Sequence, residues 1–229
     1  RSQIAHMLLI AGWAKDGDYR TLLDSDPDQS GIGPWVDGLV RAWAHMGAGD
    51  MTAALAQFDA LSAEAGMQGF VNYHRALALA SVGDFEGAEA IFEDDLAGSV
   101  AQTRRGILVR AEVLGQLGRY EDALDLLELN FGESTDPELE ELVAALEAEK
   151  PFPYSQVPDV TAGIAEIFYT FASVLRSEAA GDYYVLLYSR IARYLRPDHI
   201  DALLLTADLL ENLEQYGLAI REYKEVPSD

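Results

Sequence analysis

Histidines and carboxylates are the residues of this 229-residue chain that could carry out acid–base or metal chemistry. His6, His45, His74 and His199 share no metal-ligand spacing, and the sequence contains no HExxH, GxSxG or phosphate-loop motif. The glutamates of 138–149 have no complementary histidine, so we interpret them as a solvated helix face. Because the chain has no cysteine, disulfides and thiolate metal sites are excluded.

The stretch GIGPWV at 31–36 begins like a dinucleotide-binding fingerprint. Val36 stands in place of its third glycine, and the stretch follows the loop sequence DSDPDQS rather than a strand. We therefore predict a break here, before a helix that Pro34 opens. With no other motif to consider, the sequence predicts neither an enzyme nor a cofactor or metal site.

The composition narrows the choice of partners. The chain is 49% hydrophobic, which is enough for a large core, but no apolar run reaches the ~18 residues of a membrane span. Thirty-nine acidic and 16 basic residues give a net charge of −23, which repels phosphate backbones and makes nucleic acid an unexpected partner. This charge either favours a basic partner or is simply a solvated acidic surface.

A glycine followed by a charged residue, an aromatic or apolar residue and then a small residue recurs along the chain. The glycines are Gly17, Gly49, Gly83 and Gly118, separated by 32, 34 and 35 residues, with Gly181 and Glu214 in the same slot later. Alanine follows five residues later at Ala54, Ala88, Ala123 and Ala219, and an aromatic or leucine nine residues later at Phe58, Phe92, Leu127 and Tyr223.

Each slot has a physical reason. Glycine lets the chain leave a helix in the left-handed conformation, and the aspartates at 18, 50, 84 and 182 can cap the helix that follows. Small residues let paired helices approach closely, and the apolar spacing between the turns is helical. We therefore predict an all-α fold of helix pairs.

The pattern resembles the tetratricopeptide repeat, a helix-turn-helix unit of about 34 residues. The resemblance covers most of the chain in about six units, approximately 3–29, 34–64, 69–97, 104–133, 161–196 and 199–226. It implies a right-handed α-α superhelix with one extra helix. The closing segments AGDYYVLLYSRIARYLRPDH and DALLLTADLLENLEQYGLAIREYKEVPSD look like units of large alphaproteobacterial repeat proteins.

Prolines interrupt the repeats after the fourth unit. We predict a lone acidic helix at 137–149, then a proline-rich connector at 151–158, since proline cannot continue a helix. The predicted organisation is a repeat block at 1–150, the connector, and a second block at 159–229. The connector is either a packed spacer or a hinge, and Phe152, Tyr154 and Val157 favour packing.

The resemblance implies a concave groove lined by the first helix of each pair. Its slots here include Leu39, Trp43, Tyr73, Leu77 and Glu112. The apolar four either form a patch that accepts a peptide or helix, or they are buried inside the protein. Family members that grip terminal carboxylates place Lys, Asn and Arg in these slots, and this sequence does not.

Arg41, Arg75 and Arg110 occupy one slot, eight residues before the turn glycine, in three consecutive units. Such a column could grip the carboxylates of a partner. Alternatively, each arginine pairs with a nearby acidic side chain inside the array. Both interpretations stay open at the level of sequence.

The sequence therefore favours a non-catalytic scaffold that presents a helical groove to a protein or peptide partner. The alternative is a structural spacer or self-association module of a larger protein. The chain starts without Met and ends abruptly, so we interpret it as a piece of a longer protein. The resemblance suggests an exported, cell-envelope parent, with the cytoplasm as the alternative.

Overall fold

Helices make up about three quarters of the residues that the computed structural model describes, which are 3–25, 33–64, 66–132, 136–177 and 181–226. No strand occurs in these ranges, which confirms the predicted all-α class. The helices are α1 (Gln3–Asp16), α2 (Tyr19–Asp24), α3 (Pro34–Gly47), α4 (Met51–Ser62), α5 (Gln68–Ser81), α6 (Phe85–Glu93), α7 (Gly98–Ala101), α8 (Arg104–Gln116), α9 (Tyr120–Phe131), α10 (Pro137–Glu147), α11 (Val160–Ser177), α12 (Asp182–Leu195), α13 (Ile200–Asn212) and α14 (Tyr216–Tyr223).

The recurring glycines end helices in the left-handed conformation, as predicted. Their φ angles are 71° at Gly17, 84° at Gly49, 86° at Gly83 and 72° at Gly118. After each glycine the next backbone N–H donates to a carbonyl five residues back, as Asp84 does to Leu79 at 3.0 Å. This closure satisfies helix-end carbonyls, and it explains why the glycine recurs where a helix must stop.

The aspartates after three of these glycines cap the next helix. Asp18 accepts from the N–H of Thr21, Asp50 from Ala53 and Asp84 from Gly87, at 2.9 to 3.1 Å. Each carboxylate meets an N–H group that has no partner within the helix. The predicted capping role is therefore confirmed at these three positions.

The fifth turn is different from the prediction. Gly181 has a φ of −58° and precedes α12 as its N-cap, while Asp182 lies inside that helix and pairs with Arg176. The chain thus enters α12 without the left-handed closure that the glycine spacing suggested. Glu214 does take the predicted slot, with a φ of 57° and the same closure onto Leu210.

The chain divides into two compact units, and their boundaries along the sequence fall inside α4 and between residues 159 and 160. The first unit comprises Arg1–Ala54 and Val160–Asp229, and the second comprises Leu55–Asp159. The sequence placed its division at the proline-rich connector, next to the second of these boundaries, and did not group 1–54 with 160–229. The grouping differs because α11 packs on α3 and α12 packs on α1, which no local pattern indicates.

In the core of the first unit, a tryptophan ring packs directly against a glycine. Trp43 of α3 is fully buried, and a Cβ added to Gly163 of α11 would lie 2.4 Å from its ring. The absence of a side chain on Gly163 therefore permits the close approach of the two helices. Near this contact the Tyr19 hydroxyl lies 3.2 Å from that of Thr161.

One cluster in the core of the second unit is largely leucine, and α8, α9 and α10 contribute it. Its buried apolar residues are Ile107, Leu108, Ala111, Leu114, Ala123, Leu127, Leu139, Leu142 and Leu146. The predicted lone acidic helix is α10, which buries three leucines here. Its glutamates lie on the remaining faces, in agreement with an amphipathic helix at the edge of a core.

Candidate functional site

The four apolar residues predicted to line a groove lie in the protein interior. Leu39 and Trp43 are 0% exposed in the first unit, while Tyr73 and Leu77 are 1% and 0% exposed in the second. Their burial corresponds to the second of the two interpretations made from sequence. These four side chains therefore pack inside the protein, and any contact with a partner must be made by other residues, at the surface.

The three arginines each form an ion pair with an acidic residue of their own unit. Arg41 donates to Asp37 at 2.6 Å, Arg75 to Asp59 at 2.8 Å and Arg110 to Glu89 at 2.8 Å. Asp37 lies on the same helix as its arginine, whereas Asp59 and Glu89 lie on other helices than theirs. The three arginines therefore occupy equivalent positions in the repeat but have different surroundings.

Arg41 has the most complete set of bonds of the three. Besides Asp37, it donates to the backbone carbonyls of Leu23 at 2.9 Å and Ser25 at 2.6 Å. It thereby ties the end of α2 to α3, a structural role.

Glu112 is the predicted site residue with the richest surroundings. Its buried carboxylate accepts from the backbone N–H groups of Ser155 at 2.8 Å and Gln156 at 3.1 Å. It also accepts from the Ser155 hydroxyl at 2.6 Å. A charged group at 4% exposure is stable when several donors replace its water, and the connector provides these donors.

Further bonds fasten the connector to α8. Arg105 donates to the side-chain oxygen of Gln156 at 2.6 Å and to its carbonyl at 3.1 Å. Gln116 donates to the backbone carbonyl of Phe152. The Phe152 ring packs against Gly115 so closely that a Cβ added there would clash with it. The segment 151–158 is therefore packed against its own unit, as its apolar residues suggested.

An ion cluster at the start of α10 adjoins this network. Arg104 pairs with Asp136 at 2.6 Å and with Glu138 at 2.8 Å. Burial by itself would raise the pKa of the Glu138 carboxyl. Hydrogen bonds from Arg104 and Gln156, with the charges of Arg104 and Arg105, outweigh burial and lower this pKa below its ordinary value.

A cavity of about 360 Å³ lies between α8, α10 and the connector. Leu142, Ala145, Phe152 and Pro153 give it apolar walls, while Glu112 and Glu138 border it with carboxylates. Both carboxylates are already hydrogen-bonded to side chains of this unit. The cavity can therefore accommodate an apolar group, but those two acids are occupied by their own partners.

A second groove, of about 310 Å³, runs between α9 and α10. Sequence reasoning missed it, although one signal was present: the ranges 120–131 and 137–147 contain acidic residues and no lysine or arginine. Glu128 and Glu147 line it together with Leu124, Leu127 and Leu139. The groove depends on how two helices pack, so its apolar lining could not be predicted from either helix separately.

One histidine forms a fully buried pair in the first unit. His199 accepts from the N–H of Ala202 through Nδ1, and its Nε2 lies 3.2 Å from Glu166. An accepting Nδ1 leaves Nε2 to carry the proton towards Glu166. Within the described ranges, no three His, Asp or Glu side chains are grouped as metal ligands would be.

The glycine-rich stretch at 31–36 is described only in part. Gly31 and Ile32 lie outside the described residues, whereas Gly33 has a φ of 85° and precedes α3. Pro34 opens that helix as predicted.

Comparison with protein-family models and with curated proteins found no match. As for membranes, none of the helices described above combines the length and apolar character that a transmembrane span requires.

Proposed function

We propose that this is a tetratricopeptide-like helical-repeat protein that binds another protein or a peptide and catalyses no reaction. The observation that supports the proposal is the recurrence of one local structure. A left-handed closure follows α1, α3, α5, α8 and α13. In four of the helices that follow, the predicted alanine slot is buried, at Ala54, Ala88, Ala123 and Ala219.

Repetition of this kind points to binding rather than to catalysis. Stacked helix pairs give extended surfaces, and proteins built from them commonly recognise partners by shape and charge. A superhelix is the finer architecture that the turn spacing favours. Since the apolar stripe of Leu39, Trp43, Tyr73 and Leu77 is internal, the proposed contact surface consists of exposed residues.

Affinity capture followed by direct binding tests this function. The tagged chain is incubated with lysate of its source organism, and captured proteins are identified by mass spectrometry. Each candidate is then purified and titrated against the chain by calorimetry. Saturable binding near micromolar affinity, about −8 kcal/mol, is expected. If no purified candidate binds with a defined stoichiometry, the proposed function is wrong.

Self-association, as a spacer module of a larger envelope protein, is the second candidate. It is favoured by exposed apolar side chains on α1, at Ile4 and Leu8, and on α14, at Tyr216, Ile220 and Tyr223. Such faces are typical of contact surfaces. Sedimentation over a wide dilution series distinguishes the two functions, because a monomer at every concentration contradicts self-association.

A further inference from the structure

The groove between α9 and α10 has an apolar floor and acidic edges. Leu124, Leu127, Leu139 and Val143 line it, with Glu128 and Glu147 beside them. Leu124 and Val143 are half-buried, and the two glutamates are exposed. The groove therefore offers partly covered apolar surface to a partner, next to carboxylates that water now solvates.

The charged residues on the two helices that form the groove are all acidic. Helices α9 and α10 carry eight acidic residues, at 121, 122, 125, 128, 138, 140, 141 and 147, and no basic residue. Asp122 pairs with Arg119, and Glu138 pairs with Arg104. Glu128 and Glu147 form no ion pair with any residue that the structure describes, so their charges are available to a partner.

We propose that this groove binds a basic amphipathic helix from another protein. Apolar side chains spaced i, i+3 and i+4 on the partner enter the groove, which is how amphipathic helices occupy apolar clefts. Lysine or arginine on the flanks of the partner helix then meets Glu128 and Glu147. The inference rests on the proposed protein-binding function and names the site and the chemical class of the partner.

Charge favours a basic helix over the other occupants considered for this groove. A nucleic acid would bring phosphates against Glu128 and Glu147, whose charges no cation among the described residues pairs with. A second copy of this chain would bring its own charge of −23, so like charges would meet. A basic helix gains from the same field, both in affinity and in its rate of association.

The test uses the full chain and a fluorescein-labelled helical peptide of leucine and lysine with amphipathic spacing. A second peptide with glutamate in place of lysine is the sequence control. Fluorescence anisotropy at low and high salt gives the dissociation constants. We expect the lysine peptide to bind and the glutamate peptide not to bind, and added salt to weaken the complex. Absence of binding by the lysine peptide would overturn the proposal.

Matched charge reversals locate the site. The double variant Glu128→Lys with Glu147→Lys should weaken peptide binding about tenfold, since each reversal turns attraction into repulsion. The control is Asp16→Lys with Glu64→Lys, which changes net charge equally at exposed positions outside the groove. Equal weakening by both variants would mean general attraction to an acidic surface, and it would overturn the site. Circular dichroism confirms that both variants fold.

Site-specific labels give an independent readout. The natural chain has no cysteine, so Glu140→Cys on α10 and Glu64→Cys near α4 each accept a single dye. A quencher on the bound peptide should dim the dye at 140 and leave the dye at 64 unchanged. Equal quenching at both positions contradicts binding in the groove.

The lysate capture described above separates the two proposals. If partners bind the natural chain and the Glu128→Lys, Glu147→Lys variant equally, the protein-binding function stands and the groove assignment fails. If neither form retains a specific partner, the function itself fails.

Discussion

The carboxylate of Glu112 in α8 accepts two hydrogen bonds from Ser155 of the connector. One comes from the Ser155 backbone N–H and the other from the Ser155 hydroxyl. The two residues are 43 positions apart in the chain. Because the carboxylate is buried, these donors replace the water that it would otherwise bind. The connector is thus held in place by a charged group as well as by apolar packing.

Replacement of Glu112 should therefore destabilise the protein. Glu112→Gln keeps the shape but exchanges one accepting oxygen for an NH₂ group, which would face N–H donors. We expect the free energy of unfolding to fall by about 2–4 kcal/mol, measured by urea denaturation. The exposed Glu64→Gln is the control, with an expected change within about 0.5 kcal/mol. A Glu112→Gln variant as stable as the natural protein would contradict the role of this carboxylate.

The lowered pKa of Glu138 makes part of the stability dependent on pH. A carboxyl whose pKa is lower in the folded state stabilises that state above its ordinary pKa of 4.5. This contribution disappears as the pH falls through the folded-state pKa. In urea denaturation across a pH series, Glu138→Gln should be less stable than the natural protein at neutral pH.

In acid the difference between Glu138→Gln and the natural protein should shrink, because the natural carboxyl also becomes protonated. Glu140→Gln, at an exposed position of the same helix, should show little difference at any pH. A stability difference for Glu138→Gln that stays constant into acid would show that its charge is not the cause.

Contact between Trp43 and Gly163 predicts a coupled pair of substitutions. Gly163→Ala places a methyl group 2.4 Å from the indole and should cost about 1–3 kcal/mol in chemical denaturation. Trp43→Phe shortens the ring, so adding it to Gly163→Ala should recover part of this loss. Gly217→Ala, where the added carbon meets open space within α14, should instead stabilise by up to about 1 kcal/mol. Strictly additive effects at 43 and 163 would contradict the contact.

The arginine slot predicts unequal effects at equivalent positions. Arg41 is 15% exposed and holds Asp37 and two carbonyls, so Arg41→Ala should cost about 2–4 kcal/mol. Arg75 pairs with an Asp59 that is 62% exposed, so Arg75→Ala should cost less than about 1 kcal/mol. Thermal or urea unfolding compares them. Similar losses at both positions would indicate one shared structural role instead.

The sequence by itself determined the helix class and the positions of most turns. Gly49, Gly83 and Gly118 mark helix ends because a left-handed φ favours glycine, and the aspartates cap because N–H groups near a helix start need acceptors. These signals act over a few residues, so they can be read from a short stretch. Gly181 departs from this pattern, because it precedes α12 as its N-cap with a φ of −58°.

Only the tertiary structure decided which side chains are buried and which acids are free. Trp43 is internal because Gly163, distant in the chain, lets its ring approach, and Glu112 is internal because Ser155 provides donors. The apolar floor between Glu128 and Glu147 exists because α10 packs beside α9. Burial depends on which distant segment covers a residue, and the spacing of residues within one helix does not contain that information.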